Sequence, residues 1–343
     1  MKALVKLEKG FGKIEVCEVP EPLCGDGKVK IEVKAVGLCG SDIHIMHDAL
    51  PYTPPVILGH EFCGMVAEVG TKVTNFKVGD RVVAENVSLS CGKCSMCQTG
   101  HYAICANRSA QGINRDGGFA KYVVCNENFV FKIPDNMSYE EGALAEPLTC
   151  CVHAVVEQSH VRAGDVVLVS GPGSIGILAA MVAKAEGGFV IVTGTEADGD
   201  RLKLCAELGI DRVVNIHKED LNQIVGEITR GRGVDVVLEC SGAEPAVNSG
   251  INVLRQRGRY TQLGLFAKNI NVNFNLLTMK EIHLEGCLSH TRDAWLRGLE
   301  LVRLGKINLK PLITHKYSIS EWEKAFETFQ SQKCTKILLI PEK

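Results

Sequence analysis

Short apolar runs alternate with longer amphipathic segments from about residue 165 onward. The run VVLVS (166–170) is apolar up to its final serine, which is typical of a parallel strand buried on both faces. The next segment places Ile175, Leu178 and Val182 at helical spacing. The alternation continues through FVIVT, GDRLKLCAELG, RVVN, VDVVLECSG and RYTQLG. It predicts a doubly wound parallel sheet, and therefore an α/β fold, for residues 151–286.

A glycine-rich turn, GPGSIG, connects the first strand of this sheet to its first helix. In this context the first glycine forms the turn, the second lets the backbone approach a pyrophosphate, and the third lets helix and strand pack closely. The N-terminus of the helix supplies positive potential for the phosphates. The turn predicts a Rossmann dinucleotide-binding domain; a glycine turn in an unrelated α/β protein is the alternative. The predicted cofactor contacts here are Gly171, Pro172, Gly173, Ser174, Ile175 and Gly176.

The end of the second strand indicates which dinucleotide is bound, because NAD-binding proteins carry an acidic residue there for the ribose hydroxyls. In the segment TGTEADGDRL, Gly194 takes the expected position, and three carboxylates follow it. These carboxylates would repel the negatively charged 2′-phosphate of NADP. The sequence therefore favours NAD and leaves NADP open. The remaining predicted cofactor contacts are Glu196, Arg201, Leu263 and Gly264.

Charge and hydropathy exclude several classes of partner. The 343 residues include 38 basic and 40 acidic side chains, a formal net charge of −2, so neither nucleic acid nor an anionic membrane is an expected partner. No apolar stretch is long enough to span a bilayer, and the first residues lack the pattern of a signal peptide. We therefore expect a cytoplasmic protein that acts on a small molecule.

Four of the fifteen cysteines lie close together in the loop SCGKCSMCQTGHYAIC. The spacing C-x2-C-x2-C-x7-C, in polar and glycine-rich sequence, allows four sulfurs to surround one zinc ion. An iron–sulfur cluster or a redox C-x-x-C pair is the alternative, but the spacing or context typical of each is absent. A zinc closed by four protein ligands has no position for a substrate, so this site is structural. Its predicted ligands are Cys91, Cys94, Cys97 and Cys105.

Three other motifs contain residues suited to an open, catalytic zinc site. GLCGSDIHIM contains Cys39, LGHEFCGMV contains His60 and Glu61, and ALAEPLTCCVHA contains Glu146. A cysteine, a histidine and a carboxylate can hold zinc and leave a fourth position for water or substrate. Each residue also has an ordinary interpretation: a core thiol, a turn histidine, and an acid at the start of a helix. Spacing alone leaves both interpretations open.

The motifs together resemble a known enzyme superfamily. GLCGSDIH, GHEFCGMVAEVG, VGDRV, the four-cysteine loop, EPL and GPGSIG occur in that order over nearly the whole chain. They look like the zinc-dependent medium-chain dehydrogenase/reductase superfamily, and most like its polyol (sorbitol-type) branch and the related L-threonine 3-dehydrogenases. The resemblance implies a GroES-like β-rich catalytic domain at 1–150 with a structural zinc lobe at 88–108. A Rossmann domain at 151–286 and a return to the catalytic domain at 287–343 follow.

The resemblance also implies the ligands of the catalytic zinc. Cys39, His60 and a glutamate bind it, and the four-cysteine loop binds a second, structural zinc. Glu146 fills the place that a cysteine takes in other alcohol dehydrogenases. Glu61 is either a direct ligand or a ligand-exchange partner, and the sequence does not decide between the two glutamates.

A proton relay is implied by the same resemblance. The zinc acts as a Lewis acid on the substrate hydroxyl, and a hydride passes from the carbinol carbon to the nicotinamide. Ser41 accepts the released proton and passes it to His44, because histidine is a common proton-transfer group in enzymes. A surface histidine without this role is the alternative for His44.

The implied substrate is a secondary alcohol on a small polyol, which is oxidised reversibly to a ketone. Ile45 stands where sorbitol dehydrogenases have a tyrosine, and EGCLSHTRDAW offers Ser289 and His290 with Arg292 displaced. These departures argue against naming sorbitol itself. L-Threonine, butane-2,3-diol and an alditol phosphate remain alternatives.

Rival functions on the same fold differ in their metal ligands. Zinc-free quinone or enoyl reductases lack the ligands, and a dinucleotide-binding sensor without activity would show decay of the open site. Neither pattern is present here. Relatives assemble as dimers or tetramers through the last strand of the cofactor sheet, near EIHLEG, so we expect a homotetramer, with a dimer as the alternative.

Overall fold

A computed structural model describes residues 1–342, which form two compact units. Unit 1 comprises Met1–Glu146 and Val302–Lys343, and unit 2 comprises Pro147–Leu301. The division differs from the sequence-based boundaries near 150 and 286. The reason at the second boundary is packing: Gly298, on the helix Arg292–Arg303, lies so close to Thr149 and Leu148 that a side chain there would contact them. That helix therefore belongs mainly with the parallel sheet.

The strands and helices of the described residues are numbered in chain order. The strands are β1 (Lys2–Lys6), β2 (Ile14–Glu18), β3 (Lys28–Gly37), β4 (Val56–Ile57), β5 (Glu61–Val69), β6 (Arg81–Ala84), β7 (Val87–Leu89), β8 (Ser109–Ala110), β9 (Tyr122–Asn126), β10 (Val130–Lys132), β11 (Val166–Ser170), β12 (Phe189–Gly194), β13 (Arg212–Asn215), β14 (Val234–Glu239), β15 (Leu254–Gln262), β16 (His283–Gly286), β17 (Ile313–Ser318) and β18 (Lys336–Ile340). The helices are α1 (Gly40–Met46), α2 (Ser95–Gln98), α3 (Tyr139–Gly142), α4 (Ala145–Val152, continued by a π-helical turn His153–Gln158), α5 (Ser174–Ala185), α6 (Gly199–Glu207), α7 (Leu221–Thr229), α8 (Glu244–Val253), α9 (Asn275–Lys280), α10 (Arg292–Arg303) and α11 (Trp322–Gln330).

Unit 1 is built mostly on antiparallel strands around its own apolar core, and only β17 and β18 pair in parallel within its described sheets. Its largest sheet has the order β10-β6-β5-β3-β18-β17, with β9 also pairing with β3. Strand β3 shows the reason: Val29, Ile31 and Val33 are buried while the residues between them are partly exposed, as in a strand with one face on a core. Smaller sheets β2-β1-β4 and β7-β8 complete the unit.

Unit 2 is a six-stranded parallel sheet with the order β13-β12-β11-β14-β15-β16. All five residues of β11 and all six of β14 are buried, which explains why these segments are continuously apolar and do not alternate. The strand order reverses between β11 and β14, so the sheet is doubly wound, as the sequence predicts. No helix in the described part of the chain is long and apolar enough to cross a membrane.

Candidate active site

Cys39, His60 and Glu61 form a compact group in unit 1, in which their ligand atoms lie within 4.8 Å of one another. Cys39 precedes α1, and its backbone N–H donates to the Asp42 carboxylate at 3.0 Å. His60 and Glu61 follow Gly59, whose φ of +86° and close approach to the Phe119 ring favour glycine. The turn therefore aims both side chains inward at the start of β5, where His60 and Glu61 are 3% and 1% exposed.

The electrostatics around this group suit a cation. Burial alone would lower the pKa of His60, but the neighbouring Cys39, Asp42 and Glu146 raise it well above its ordinary value. Burial raises the pKa of the Asp42 carboxyl as well, although His60 opposes that shift. A pocket that holds one thiol and several carboxylates out of water requires a positive charge to neutralise them. The donor set of thiolate, imidazole and carboxylate is one that zinc accepts, so the residues fit this metal.

Two residues of this pocket carry no signal in the sequence. Asp42 is fully buried on α1, and its Oδ1 lies 3.9 Å from His60 Nδ1, where it can orient the ring. Lys336, at the start of β18, is 2% exposed and makes an ion pair with Glu61. Burial alone would lower the pKa of Lys336, but Glu61 and Cys39 raise it. Glu61 is thus shared between a potential metal and a buried ammonium group.

Glu146, the alternative carboxylate, lies beside the group of three. It is the second residue of α4 and is 6% exposed. Its Oε1 accepts a hydrogen bond from Asn86 Nδ2 at 2.8 Å. Burial raises the pKa of the Glu146 carboxyl, with His60 opposing and Glu61 adding to the shift. It therefore interacts electrostatically with the group, although its oxygens are not among the donors within 4.8 Å of one another.

The predicted relay residues both lie on α1, immediately after Cys39. The Cys39 Sγ lies 3.8 Å from Ser41 Oγ, so this hydroxyl is next to the metal group. His44 is partly exposed one turn further along the helix. In the described residues no direct hydrogen bond joins Ser41 and His44, so a proton that moves between them needs a bridging group.

The four-cysteine loop forms a second group of metal ligands. The Cys91–Cys97 and Cys94–Cys105 sulfur pairs are each 3.8 Å apart. This distance is far longer than a disulfide, and it equals the separation of about 3.8 Å expected between ligands that lie 2.3 Å from a tetrahedral ion. Backbone N–H groups of Lys93 and Cys94 lower the pKa of the Cys91 thiol to about 6, which favours the thiolate. The loop therefore fits a zinc ion.

The glycine turn of unit 2 has the geometry that a dinucleotide needs. Gly171 has a φ of +93°, where a side chain would be strained. A Cβ at Gly173 would meet no atom within 4 Å, so the space in front of its backbone is open. A Cβ at Gly176 would lie 1.9 Å from the Gly171 oxygen, so close packing excludes any side chain there. The backbone geometry of each glycine is thus compatible with its predicted role, and Ser174 begins α5 with Gly173 at its N-cap.

The other predicted cofactor residues lie at the same, carboxyl edge of the sheet. Glu196 is in a short turn after β12 and pairs with Lys218 at 3.0 Å. Arg201 Nη1 lies 3.3 Å from Asp198 Oδ1, and the other oxygen of Asp198 accepts from Thr195. Leu263 and Gly264 follow β15, and their N–H groups donate to the Glu239 carbonyl at 2.8 and 2.9 Å.

The residues on which the substrate argument depends are divided between the two units. Ile45 is fully buried in the apolar core of unit 1, so its side chain is a packing residue. Ser289 has a φ of +63°, and His290 is 2% exposed with its ring 5.4 Å from that of Trp295. The apolar residue at position 45 thus agrees with its place in the core of unit 1.

Comparison with known families decides the class of the protein. Residues 25–135 match the alcohol dehydrogenase GroES-like domain, and residues 174–303 match the zinc-binding dehydrogenase domain. A sorbitol dehydrogenase from Halalkalibacterium halodurans is 46% identical over 99% of both chains. The chain belongs to the zinc-dependent medium-chain dehydrogenase family. The predicted superfamily, polyol branch and fold class are confirmed, and the protein is an oxidoreductase that acts on alcohols.

Other relatives in this family differ in substrate and cofactor. A D-arabitol-phosphate dehydrogenase from Enterococcus avium is 40% identical over 99% of this chain and 97% of that protein. An L-threonine 3-dehydrogenase from Yersinia enterocolitica is 36% identical over 99% of each. The crystal structure of a zinc-binding dehydrogenase from Sinorhizobium meliloti bound to NADP matches with a TM-score of 0.91, 33% identity and 99% coverage of both chains. The family therefore establishes a dehydrogenase linked to a nicotinamide dinucleotide.

Proposed function

We propose that the protein oxidises a secondary alcohol of a small polyol to the ketone, reversibly, with NAD as the favoured hydride acceptor. The observation that carries this proposal is the group of Cys39, His60 and Glu61, which offers three donors that zinc accepts, one fewer than a closed four-ligand site. The relatives named as sorbitol and D-arabitol-phosphate dehydrogenases support a polyol as substrate.

Cys39, His60 and a glutamate would hold the catalytic zinc, and Cys91, Cys94, Cys97 and Cys105 would hold a structural zinc. The catalytic ion supplies Lewis acidity that lowers the pKa of an alcohol, and the nicotinamide supplies the hydride acceptor. Ser41 is placed beside Cys39 to take the alcohol proton, and His44 to release it toward solvent. Asp42, with Oδ1 3.9 Å from His60 Nδ1, places a carboxylate beside the ring without a direct hydrogen bond to it.

The choice between the two glutamates depends on Lys336. Glu61 belongs to the group within 4.8 Å and also contacts Lys336, whereas Glu146 lies beside the group and is fixed by Asn86. We propose Glu61 as the ligand in the conformation described and Glu146 as its exchange partner. Glu61→Gln and Glu146→Gln, each tested for zinc content, separate the two roles, because loss of the resting ligand weakens zinc binding more.

NADP is the second candidate cofactor, and one observation favours it. Asp198 is held by Thr195 and Arg201, and Glu196 pairs with Lys218, so neighbouring groups already engage two of the three carboxylates. NAD remains the first choice because the segment is acidic on balance. The values of kcat/KM for NAD and NADP, measured with one substrate, test this choice.

The first experiment is a rate measurement with zinc-replete protein. Initial rates of reduced-nicotinamide formation are compared for linear polyols, phosphorylated alditols, L-threonine and butane-2,3-diol, with each cofactor. Turnover of a polyol supports the proposal, and exclusive turnover of L-threonine contradicts it. Metal analysis of the same sample is expected to give two zinc ions per chain, one for each ligand group.

We also propose a homotetramer, with a dimer as the alternative. Strand β16 pairs only with β15 among the described residues, and all four of its residues are exposed, so its free edge can pair with a second copy. Light scattering on the purified protein measures the assembly directly.

A further inference from the structure

Glu239, the last residue of β14, is a fully buried acid that the proposed mechanism does not use. Its carboxylate accepts hydrogen bonds from the Ser241 N–H at 2.8 Å and from the Ser241 hydroxyl. It also accepts from the Gly242 N–H at 3.0 Å and from Gln262 Nε2 at 2.5 Å. All of these partners are donors, as a carboxylate anion requires. No basic side chain in residues 1–342 pairs with it, so its negative charge is dispersed over neutral groups and is not cancelled.

The same carboxylate joins two loops. Tyr260 Oη donates to Gln262 Oε1 at 2.9 Å, which turns the Gln262 amide so that Nε2 faces Glu239 and the Gly264 carbonyl. A Cβ at Gly264 would lie 2.4 Å from the Gly242 nitrogen, so the loop after β15 lies directly against the loop after β14. Glu239 therefore fixes residues 240–242 and 263–264 as one surface.

This surface lies beside the glycine turn. In the sheet, Glu239 is level with Ser170 of β11 on one side and with Gln262 of β15 on the other. A Cβ at Gly171 would lie 2.7 Å from the Ser241 Cβ, so the first glycine contacts the loop that Glu239 holds. Ser241 itself is exposed above the buried carboxylate.

The topology indicates which half of the dinucleotide meets this surface. In a sheet of this order the dinucleotide lies across the carboxyl ends of the strands at the switch point, and the ribose-binding segment after the second strand defines the adenosine half. That segment follows β12, on the β11–β12–β13 side. The loops after β14 and β15, on the opposite side of the switch point, therefore face the nicotinamide half.

We propose that Glu239 is a positioning residue for the nicotinamide half of the cofactor and that its charge favours the oxidised ring over the reduced ring. The inference rests on the proposed binding of a nicotinamide dinucleotide. The oxidised ring carries a positive charge and the reduced ring does not, so an uncancelled carboxylate nearby attracts one form selectively. At an effective dielectric constant of about 20, a charge about 10 Å away changes such a preference by about tenfold.

The test is calorimetric titration of Glu239→Gln with NAD⁺, NADH and ADP, or with the corresponding 2′-phosphates if these bind more tightly. The ratio of the oxidised to the reduced cofactor's affinity is expected to fall about tenfold below that of the wild type. The affinity for ADP, which occupies only the adenosine half, is expected to stay within about twofold because that half is untouched.

Two control variants separate charge from structure. Glu239→Asp keeps the charge and shortens the side chain, so both cofactor forms bind more weakly while their affinity ratio stays near the wild-type value. Asp235→Asn alters a buried acid at the opposite end of β14, where Arg232 and Arg255 pair with it at 2.6 Å. It is expected to lower the stability of unit 2 without changing the affinity ratio.

If Glu239→Gln kept the wild-type ratio of oxidised to reduced cofactor affinity, this inference would be overturned. A loss of ADP affinity as large as the loss of NAD⁺ affinity would also overturn it, because it indicates a general disruption of the site. Absence of binding of every cofactor form by the wild-type protein would instead overturn the proposed function, and this inference with it. The two failures are therefore distinguishable.

Discussion

The two metal-ligand groups of unit 1 are assembled in opposite ways. The four cysteines occupy one short loop between residues 91 and 105, and most of them are partly exposed. The group around Cys39 draws its members from α1, the start of β5, the start of α4 and β18, and nearly all of them are buried. Four chemically equal ligands can close around an ion and stabilise a fold. A mixed, buried set of ligands surrounded by charged side chains can instead change the acidity of a group bound to the ion.

The sharpest way to separate the two groups is to remove one cysteine from each. Cys39→Ser is expected to lose one of two zinc ions and at least about a thousandfold in kcat, because the Lewis acid is lost. Cys94→Ser is expected to lose the other zinc and to lower the unfolding temperature, because metal binding contributes to folding there. Metal analysis, steady-state kinetics and thermal denaturation are measured on both.

Cys17→Ser is the matched control, since Cys17 is a partly exposed cysteine outside both groups. It is expected to keep both ions, the rate and the unfolding temperature. If Cys39→Ser retained two zinc ions and full turnover, the catalytic assignment would be wrong.

Lys336→Met sharpens the comparison because only the buried group contains an ion pair. Removal of one partner of a buried pair typically costs about 3–5 kcal/mol, so the free energy of unfolding is expected to fall by that amount after zinc is removed by a chelator. With zinc bound, the ion neutralises Glu61 and the loss is smaller. Urea denaturation with and without zinc measures the difference. Lys333→Met, at an exposed lysine close in sequence, is the control. If Lys336→Met lost the same free energy of unfolding with and without zinc, the argument would be contradicted.

The relay residues have a smaller expected effect. Ser41→Ala and His44→Ala are expected to lower kcat by about a hundredfold while both zinc ions are retained, because proton transfer is slowed and metal binding is not. Pre-steady-state measurement of proton release checks this. Full activity in both variants would remove the relay from the mechanism.

The smallest effect concerns the pH range over which the four-cysteine loop holds its metal. The pKa of Cys91 is lowered to about 6, so the thiolate's contribution to stability is complete above the ordinary thiol pKa and is lost as the pH falls through about 6. In the metal-free protein the Cys91 thiolate is therefore expected to be lost near pH 6, and bound zinc is expected to shift this loss to lower pH because the ion competes with protons. Thiolate absorbance is followed against pH with and without zinc. The same titration midpoint in both states would contradict the prediction.

The two groups also differ in how much of them the sequence predicts. The loop's spacing specifies its ligands directly, and the strand pattern with GPGSIG predicts the parallel sheet and the glycine turn. Cys39, His60, Glu61 and Glu146 become one site only by resemblance to a family, because no local pattern joins segments so distant in the chain.

Three residues of the proposed sites escaped the sequence analysis for physical reasons. Lys336 opens an apolar strand, where a lysine normally marks a solvent-facing edge, and its burial depends on the partner Glu61. Asp42 resembles an ordinary helix-cap acid. Glu239 ends a strand, and only the strand register shows that three loops meet around it.

Strand β18 has a consequence for biosynthesis. It inserts between β3 and β17, and Leu338 pairs with Gly37. The ribosome therefore makes all of unit 2 before this interior strand of the unit 1 sheet exists, so the parallel sheet of unit 2 can fold during translation before the unit 1 sheet is complete. The ammonium group that neutralises Glu61 arrives with that same late strand. A nascent chain without it exposes an open sheet edge and leaves Glu61 without its ion-pair partner.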